Sequence, residues 1–218
     1  MPATVNERPS FERLPSGRHG LTREVVLASQ RGRLLDAMMQ VVADKGYAAT
    51  SVADVVERAG VSRRTFYEQF PDKESCFLAA YGTGVELMLG RIRAAVVPLP
   101  DKDWRPRAKA SIDTFMEVLS TEPGFAWSLL VEVLGAGREA LARRAETLGL
   151  FTELWRRLYD RARHEEPNLP KLPAEVFISL GGGLEELVRE HLRTRGAASL
   201  PELSGKVLRV VLATFGAR

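Results

Sequence analysis

A single cysteine in 218 residues, Cys76, rules out an internal disulfide. Its neighbours Phe77 and Leu78 mark it as a small buried hydrophobe rather than a redox switch. The three histidines, His19, His164 and His191, are scattered without ligand spacing, so no metal site is expected. No apolar run reaches the roughly 18 residues that a membrane helix needs. The first residues carry prolines and arginines instead of the apolar segment of a secretory leader, so a cytoplasmic location is expected. No nucleophile–base set, Gly-rich phosphate loop or paired carboxylates in a marked cleft can be picked out. The sequence therefore reads as a non-enzyme, with no catalytic residue and no cofactor. Strand-like alternation of useful length is also missing, and the expected class is all-α.

What is present is an ordinary globular composition, 45% hydrophobic and 27% charged, with a net charge of only +3. Basic character can serve a polyanion only if it is concentrated locally. The informative stretch runs from Gly46 to Lys73. Ser51 precedes Val52, Val55 and Val56 with Asp54 three residues on, a helix N-cap with a capping box. Gly60 ends that helix as glycine does where the chain turns left-handed. Ser62 caps a second helix in which Phe66 and Phe70, four apart, share the buried face. Arg63, Arg64 and Tyr67 must then project from the opposite side. Pro71 stops the helix, and Asp72 caps a third one beginning near Lys73. Taken singly, each feature is an ordinary turn or a solvated face, and Arg64 could simply pair with Glu68. Together, within one short window, they describe a helix-turn-helix whose second helix can enter the DNA major groove.

Gly46-Tyr47, Thr50-Ser51-Val52, Ala59-Gly60-Val61-Ser62, Thr65-Phe66-Tyr67, Phe70 and Lys73 together resemble the tetracycline-repressor (TetR-type) family of bacterial transcription regulators. The specific resemblance covers roughly residues 30 to 80, and the remainder agrees in length and helical layout. It implies that Ser51, Tyr67 and Lys73 hold phosphates while Arg63, Arg64 and Thr65 lie at base edges. Many relatives carry a small residue or proline where Arg64 stands, a departure that alters the local contact geometry.

About nine helices are expected. Residues 1–21, with Arg8, Arg13 and Arg18, read as a flexible basic arm. Residues 22–71 read as a three-helix DNA-binding domain, and residues 72–218 as a helical effector-binding and dimerisation domain. A long helix from Leu27 to Lys45 backs the helix-turn-helix. The helix from Asp72 runs on toward Pro98 as a lever, despite Gly82, Gly84 and Gly90, which imply close packing or bending. Helices follow at about 104–120, 123–134, 138–164, 174–194 and 200–215. In the third of these Leu141, Ala145, Leu148, Thr152, Trp155, Tyr159 and Ala162 form an apolar stripe. Glu165-Glu166 and Glu185-Glu186 read as solvated charges. Leu180, Leu184, Leu187 and Leu192, with Gly181 to Gly183, then Val207, Val210, Val211 and Phe215, read as half of a two-fold four-helix interface, making a homodimer.

The resemblance also implies a small-molecule pocket in the body. Its candidates are Phe115, Met116, Trp127, Phe151, Trp155 and Phe177, with Glu132, Arg138 and Glu185 as polar partners. The leading expectation is a dimeric repressor released from a pseudo-palindromic operator by a mostly apolar effector. The alternative is a DNA-binding protein with no small ligand that docks a protein partner, for which a sealed body would speak.

Overall fold

The structure, a computed structural model, describes residues 23–100 and 102–217, so the expected basic arm at 1–21 lies outside the described residues. Among them nine α-helices and two 3-10 turns occur, and no strand. The first three helices are α1 (Arg23–Lys45), α2 (Val52–Ala59) and α3 (Arg63–Gln69). Then come α4 (Lys73–Val96), α5 (Trp104–Thr121), α6 (Pro123–Leu130) and α7 (Arg138–Glu165). The last two are α8 (Ala174–Arg195) and α9 (Ser204–Phe215). A 3-10 turn, Glu132–Leu134, follows α6, and a longer one, Ala197–Leu203, precedes α9.

The caps fix the helix-turn-helix. Ser51 Oγ accepts the Asp54 N–H at 3.3 Å, while Asp54 Oδ2 accepts the Ser51 N–H at 2.7 Å. Hydrogen bonds from Lys45 and then Ser51 hold the Asp54 carboxyl well below the usual carboxylate range. Gly60 adopts φ 62° and closes α2 in the left-handed conformation. Ser62 and Asp72 then accept the Thr65 and Ser75 N–H groups at 3.0 and 2.7 Å, opening α3 and α4. α1 lies across α2, α4 and α6, so it is the floor shared by the helix-turn-helix layer and the body. Leu34, Met38 and Val42 on α1 are fully buried, as are Phe66, Cys76 and Phe77. Burial pushes the Cys76 thiol up to about 12, so it is an inert hydrophobe at neutral pH.

In the body, α4, α5, α7 and α8 pack side by side, and α9 with the longer 3-10 turn closes against α5. Several expectations change here. Of the three α4 glycines only Gly84 is closely packed, since a Cβ there would collide with the Phe125 ring. A Cβ at Gly82 or Gly90 would meet nothing within 4 Å among the described residues. On α7 the expected stripe is incomplete, because Leu141 and Ala145 are exposed. The expected helix 200–215 begins as 3-10 structure around Pro201, which cannot donate an α-helical bond. Glu165 and Glu166 are not merely solvated. Glu165 Oε2 accepts the Trp104 N–H at 2.8 Å. Glu166 accepts the Trp104 indole at 2.6 Å and pairs with both terminal nitrogens of Arg105 at 2.5 and 3.1 Å. These bonds tie the start of α5 to the end of α7. Finally, Leu180, Leu184, Leu192, Val207, Val211 and Phe215 are buried in the subunit's own core.

Candidate nucleic-acid interface and effector cavity

The outward face of α3 is set by what its inward face buries. The rings of Phe66 and Phe70 lie 5.8 Å apart against α1, and Arg31 sits 4.4 Å above the Phe70 ring. Arg33 donates to the Ala59 carbonyl at 3.1 Å, locking α1 to the end of α2. Arg63, Arg64 and Tyr67 consequently stand together in solvent, Tyr67 being 58% exposed. Arg64 Nε donates to Glu68 at 2.9 Å, yet the arginine side chain is 88% exposed. Such an exposed pair is worth only about 0.3–0.5 kcal/mol, too little to withhold the guanidinium from a base edge. Thr65 is half-buried, with its hydroxyl 2.9 Å from that of Ser62. Ser51 is exposed at the start of α2, its hydroxyl donating to Asp54 at 2.6 Å. Lys73 opens α4, its ammonium donating to the Tyr47 carbonyl at 2.9 Å and lying 4.2 Å above the Tyr47 ring. An ammonium has three donors, so two remain for a phosphate.

Within the body, α4, α5, α7 and α8 surround a cavity of about 540 Å³. Phe115 and Phe151, edge to face at 5.5 Å, line it together with Met116 and Trp155. Trp127 and Phe177 lie outside it. Trp127 donates its indole N–H to Glu132 at 3.1 Å, and Phe177 is packed against Tyr159 at 5.3 Å. Of the expected polar partners, Glu185 reaches the wall; Arg138 and Glu132 do not.

Beyond Glu185, sequence reasoning missed the polar end of this cavity. Arg144 makes a two-pronged ion pair with Glu185 at 3.0 and 2.9 Å, and Arg189 shares the same carboxylate at 2.5 Å. Tyr81 and Thr147 complete that wall. Burial pushes the Tyr81 phenol above its usual range against the opposing hydrogen bond with Thr147, so it stays a neutral donor at physiological pH. Arg144 and Glu185 are 41 residues apart, and no local spacing announces their pairing. Five arginines against two glutamates line the cavity as a whole, which biases it toward an anion. No helix among the described residues is long and apolar enough to cross a membrane, and no side-chain cluster among them could hold a metal ion.

Comparison with known proteins bears on both parts. Residues 34–80 match the family described as bacterial regulatory proteins, tetR family. The HTH-type transcriptional activator FasR of Mycolicibacterium smegmatis is 29% identical over 108 residues, 50% of this chain and 48% of that protein. The HTH-type transcriptional regulator EthR of the same organism is 30% identical over 151 residues, 67% of this chain and 60% of that protein. The matched part thus spans only about half of these curated relatives. Among solved structures, the transcriptional regulator FadR from Bacillus subtilis, in complex with stearoyl-CoA, superposes with a TM-score of 0.74. The superposition covers 84% of this chain and 98% of that one at 16% identity, a likeness of fold. The shared frame of helices is a likeness of fold, and the capped helix-turn-helix with the matched segment around it places this chain in the tetR family of bacterial regulatory proteins.

Proposed function

We propose that the protein is a transcriptional regulator that binds a pseudo-palindromic operator as a homodimer and is released from it by a mostly apolar effector with an acidic end. Residues 22–71 form its DNA-reading unit, and residues 72–218 its sensing and pairing body, working in the cytoplasm. The single observation that carries the DNA reading is the outward cluster of Arg63, Arg64 and Tyr67, opposite the buried Phe66 and Phe70. Arg63, Arg64 and Thr65 are assigned to base edges, and Ser51, Tyr67 and Lys73 to phosphates.

The effector reading rests on the cavity, whose volume lies in the range of about 300–1,000 Å³ usual for ligand sites. A sealed body would have favoured a protein partner as the regulator; an open, mostly apolar cavity favours a ligand. Its arginine excess favours an anionic end, and FadR, whose fold is similar, holds stearoyl-CoA. A ligand acts on DNA only through its difference in affinity for two conformations, and linkage makes the effect reciprocal.

Two measurements test this. Selection of bound sequences from random DNA is expected to return inverted half-sites centred about 34 Å apart, one helical turn. Oleate and stearoyl-CoA are then titrated with and without that operator. The operator is expected to weaken the binding of whichever chain is accepted by the factor with which that chain weakens DNA. Binding that is indifferent to the operator would make the ligand a passenger and end the sensor reading.

A further inference from the structure

Glu132, in the 3-10 turn after α6, reaches from the body into the helix-turn-helix. Its Oε2 accepts the Tyr47 backbone N–H at 2.7 Å, and its Oε1 accepts the Trp127 indole N–H at 3.1 Å. Gly46, at φ 83°, turns the chain so that this N–H meets the carboxylate; a Cβ there would sit 3.5 Å from Oε2 in a backbone conformation that side chains disfavour. The other side of Tyr47 belongs to Lys73, through the carbonyl at 2.9 Å and the ring at 4.2 Å. The Tyr47 ring also packs on Phe77 at 4.9 Å. One residue is therefore gripped from the body by Glu132 and from α4 by Lys73.

The same 3-10 turn is joined to the cavity. It follows α6, whose Leu129 and Leu130 line the cavity wall. The Leu130 carbonyl accepts from Arg189 Nε at 2.6 Å, and Arg189 shares Glu185 with Arg144 on that wall. The connection runs from Arg144 through Glu185 and Arg189 to Leu130, then along one short stretch of backbone to Glu132, Tyr47 and Lys73.

We propose that Glu132 is a positioning residue for DNA binding: it fixes Tyr47, and through it the Lys73 ammonium, and makes that placement answer to the cavity end of α6. This rests on the assignment of Lys73 to a phosphate. A lysine ammonium is a point charge on a flexible stem, so its contribution depends on what holds it in place. Electrostatics alone predicts the opposite effect for Glu132, because removing a carboxylate from a DNA-binding protein favours the polyanion. A loss of DNA affinity on removing Glu132 therefore reports positioning and not charge.

The test is the salt dependence of binding to a fixed short DNA duplex, using the full chain. Lys73→Ala is expected to lower the slope of log affinity against log salt by about one unit. Glu132→Ala is expected to lower both affinity and slope in the same direction by a smaller amount. The double variant should bind no more weakly than Lys73→Ala alone, since both act through one ammonium. Glu132→Gln keeps one acceptor for the Tyr47 N–H but turns its amide NH2 toward the Trp127 indole N–H, so it is expected to bind between wild type and Glu132→Ala. Should Glu132→Ala fail to fold, Trp127→Phe, which removes only the second bond to the carboxylate, gives an intermediate slope in its place. Wild-type affinity and slope in Glu132→Ala and Trp127→Phe, or additive effects of Glu132→Ala and Lys73→Ala, would overturn the proposal. An unchanged slope in Lys73→Ala would instead remove the phosphate assignment, and this inference with it.

Discussion

At the scale of single residues, orientation was legible in the sequence wherever an aromatic fixed the phase of a helix. Phe66 and Phe70 dictate that Arg63, Arg64 and Tyr67 face outward, and all three do. Arg64 is the informative test because its only partner among the described residues, Glu68, is itself exposed. Arg64→Ala is expected to relax preference at one base pair, at a cost of about 1–3 kcal/mol on the best site. Mere loss of the Glu68 pair would leave sequence preference untouched and cost a few tenths of that. Competition between the selected operator and single-base variants of it separates the two outcomes, and an unchanged preference profile would withdraw the base-edge role. Lys73 and Glu132 were not legible in the same way. Their partners lie 26 and 85 residues away, and neither a helical period nor a cap carries information over that distance.

At the scale of elements, boundaries came from caps, and caps are local chemistry. Ser51, Gly60, Ser62 and Asp72 each sit where an N-cap or C-cap is needed. What the α4 glycines do was not local, and the structure separates them. Gly84 is required by the Phe125 ring, whereas Gly82 and Gly90 face open space within the subunit. Replacing glycine by alanine in a helix interior removes backbone freedom from the unfolded chain and gains up to about 1 kcal/mol. Gly90→Ala is thus expected to raise the thermal midpoint by about 2–4 °C. Gly84→Ala is expected to lower it, because the aromatic ring on α6 must move. Thermal unfolding followed by circular dichroism decides the matter, and equal shifts in the two variants would show that α4 does not pack on α6 as described. The same distinction explains the overestimated stripe on α7. Apolar period alone cannot tell a face that meets a core from one that faces solvent, as Leu141 and Ala145 do.

At the scale of the whole molecule, the proposed pairing surface is drawn instead from the apolar positions that remain outside. Most of the residues expected to join two subunits fill this subunit's own core; Ile178, Leu187 and Val210 stay 57%, 37% and 42% exposed on the outer faces of α8 and α9. Gly182 and Gly183 lie on the same helix with nothing within 4 Å of an added Cβ. Two glycines in mid-helix destabilise it by about 1 kcal/mol each relative to alanine, and no contact among the described residues requires either. In the proposed homodimer, close approach of a second backbone would supply the requirement. Gly181 differs from them, since Leu148 and Thr152 on α7 already lie against it. A two-fold interface centred on Ile178, Leu187 and Val210 would place each carboxylate of Leu187→Glu or Val210→Glu opposite apolar surface from both subunits. An unpaired carboxylate in a dry interface costs on the order of 3 kcal/mol, more than a hundredfold in dimer dissociation. Each variant is therefore expected to sediment as a helical monomer where the wild type is a dimer. Operator affinity should collapse toward that of a single half-site, because one recognition helix cannot span both. Variants that stay dimeric, or a wild type that sediments as a monomer at operator-saturating concentration, would place the pairing surface elsewhere or remove it.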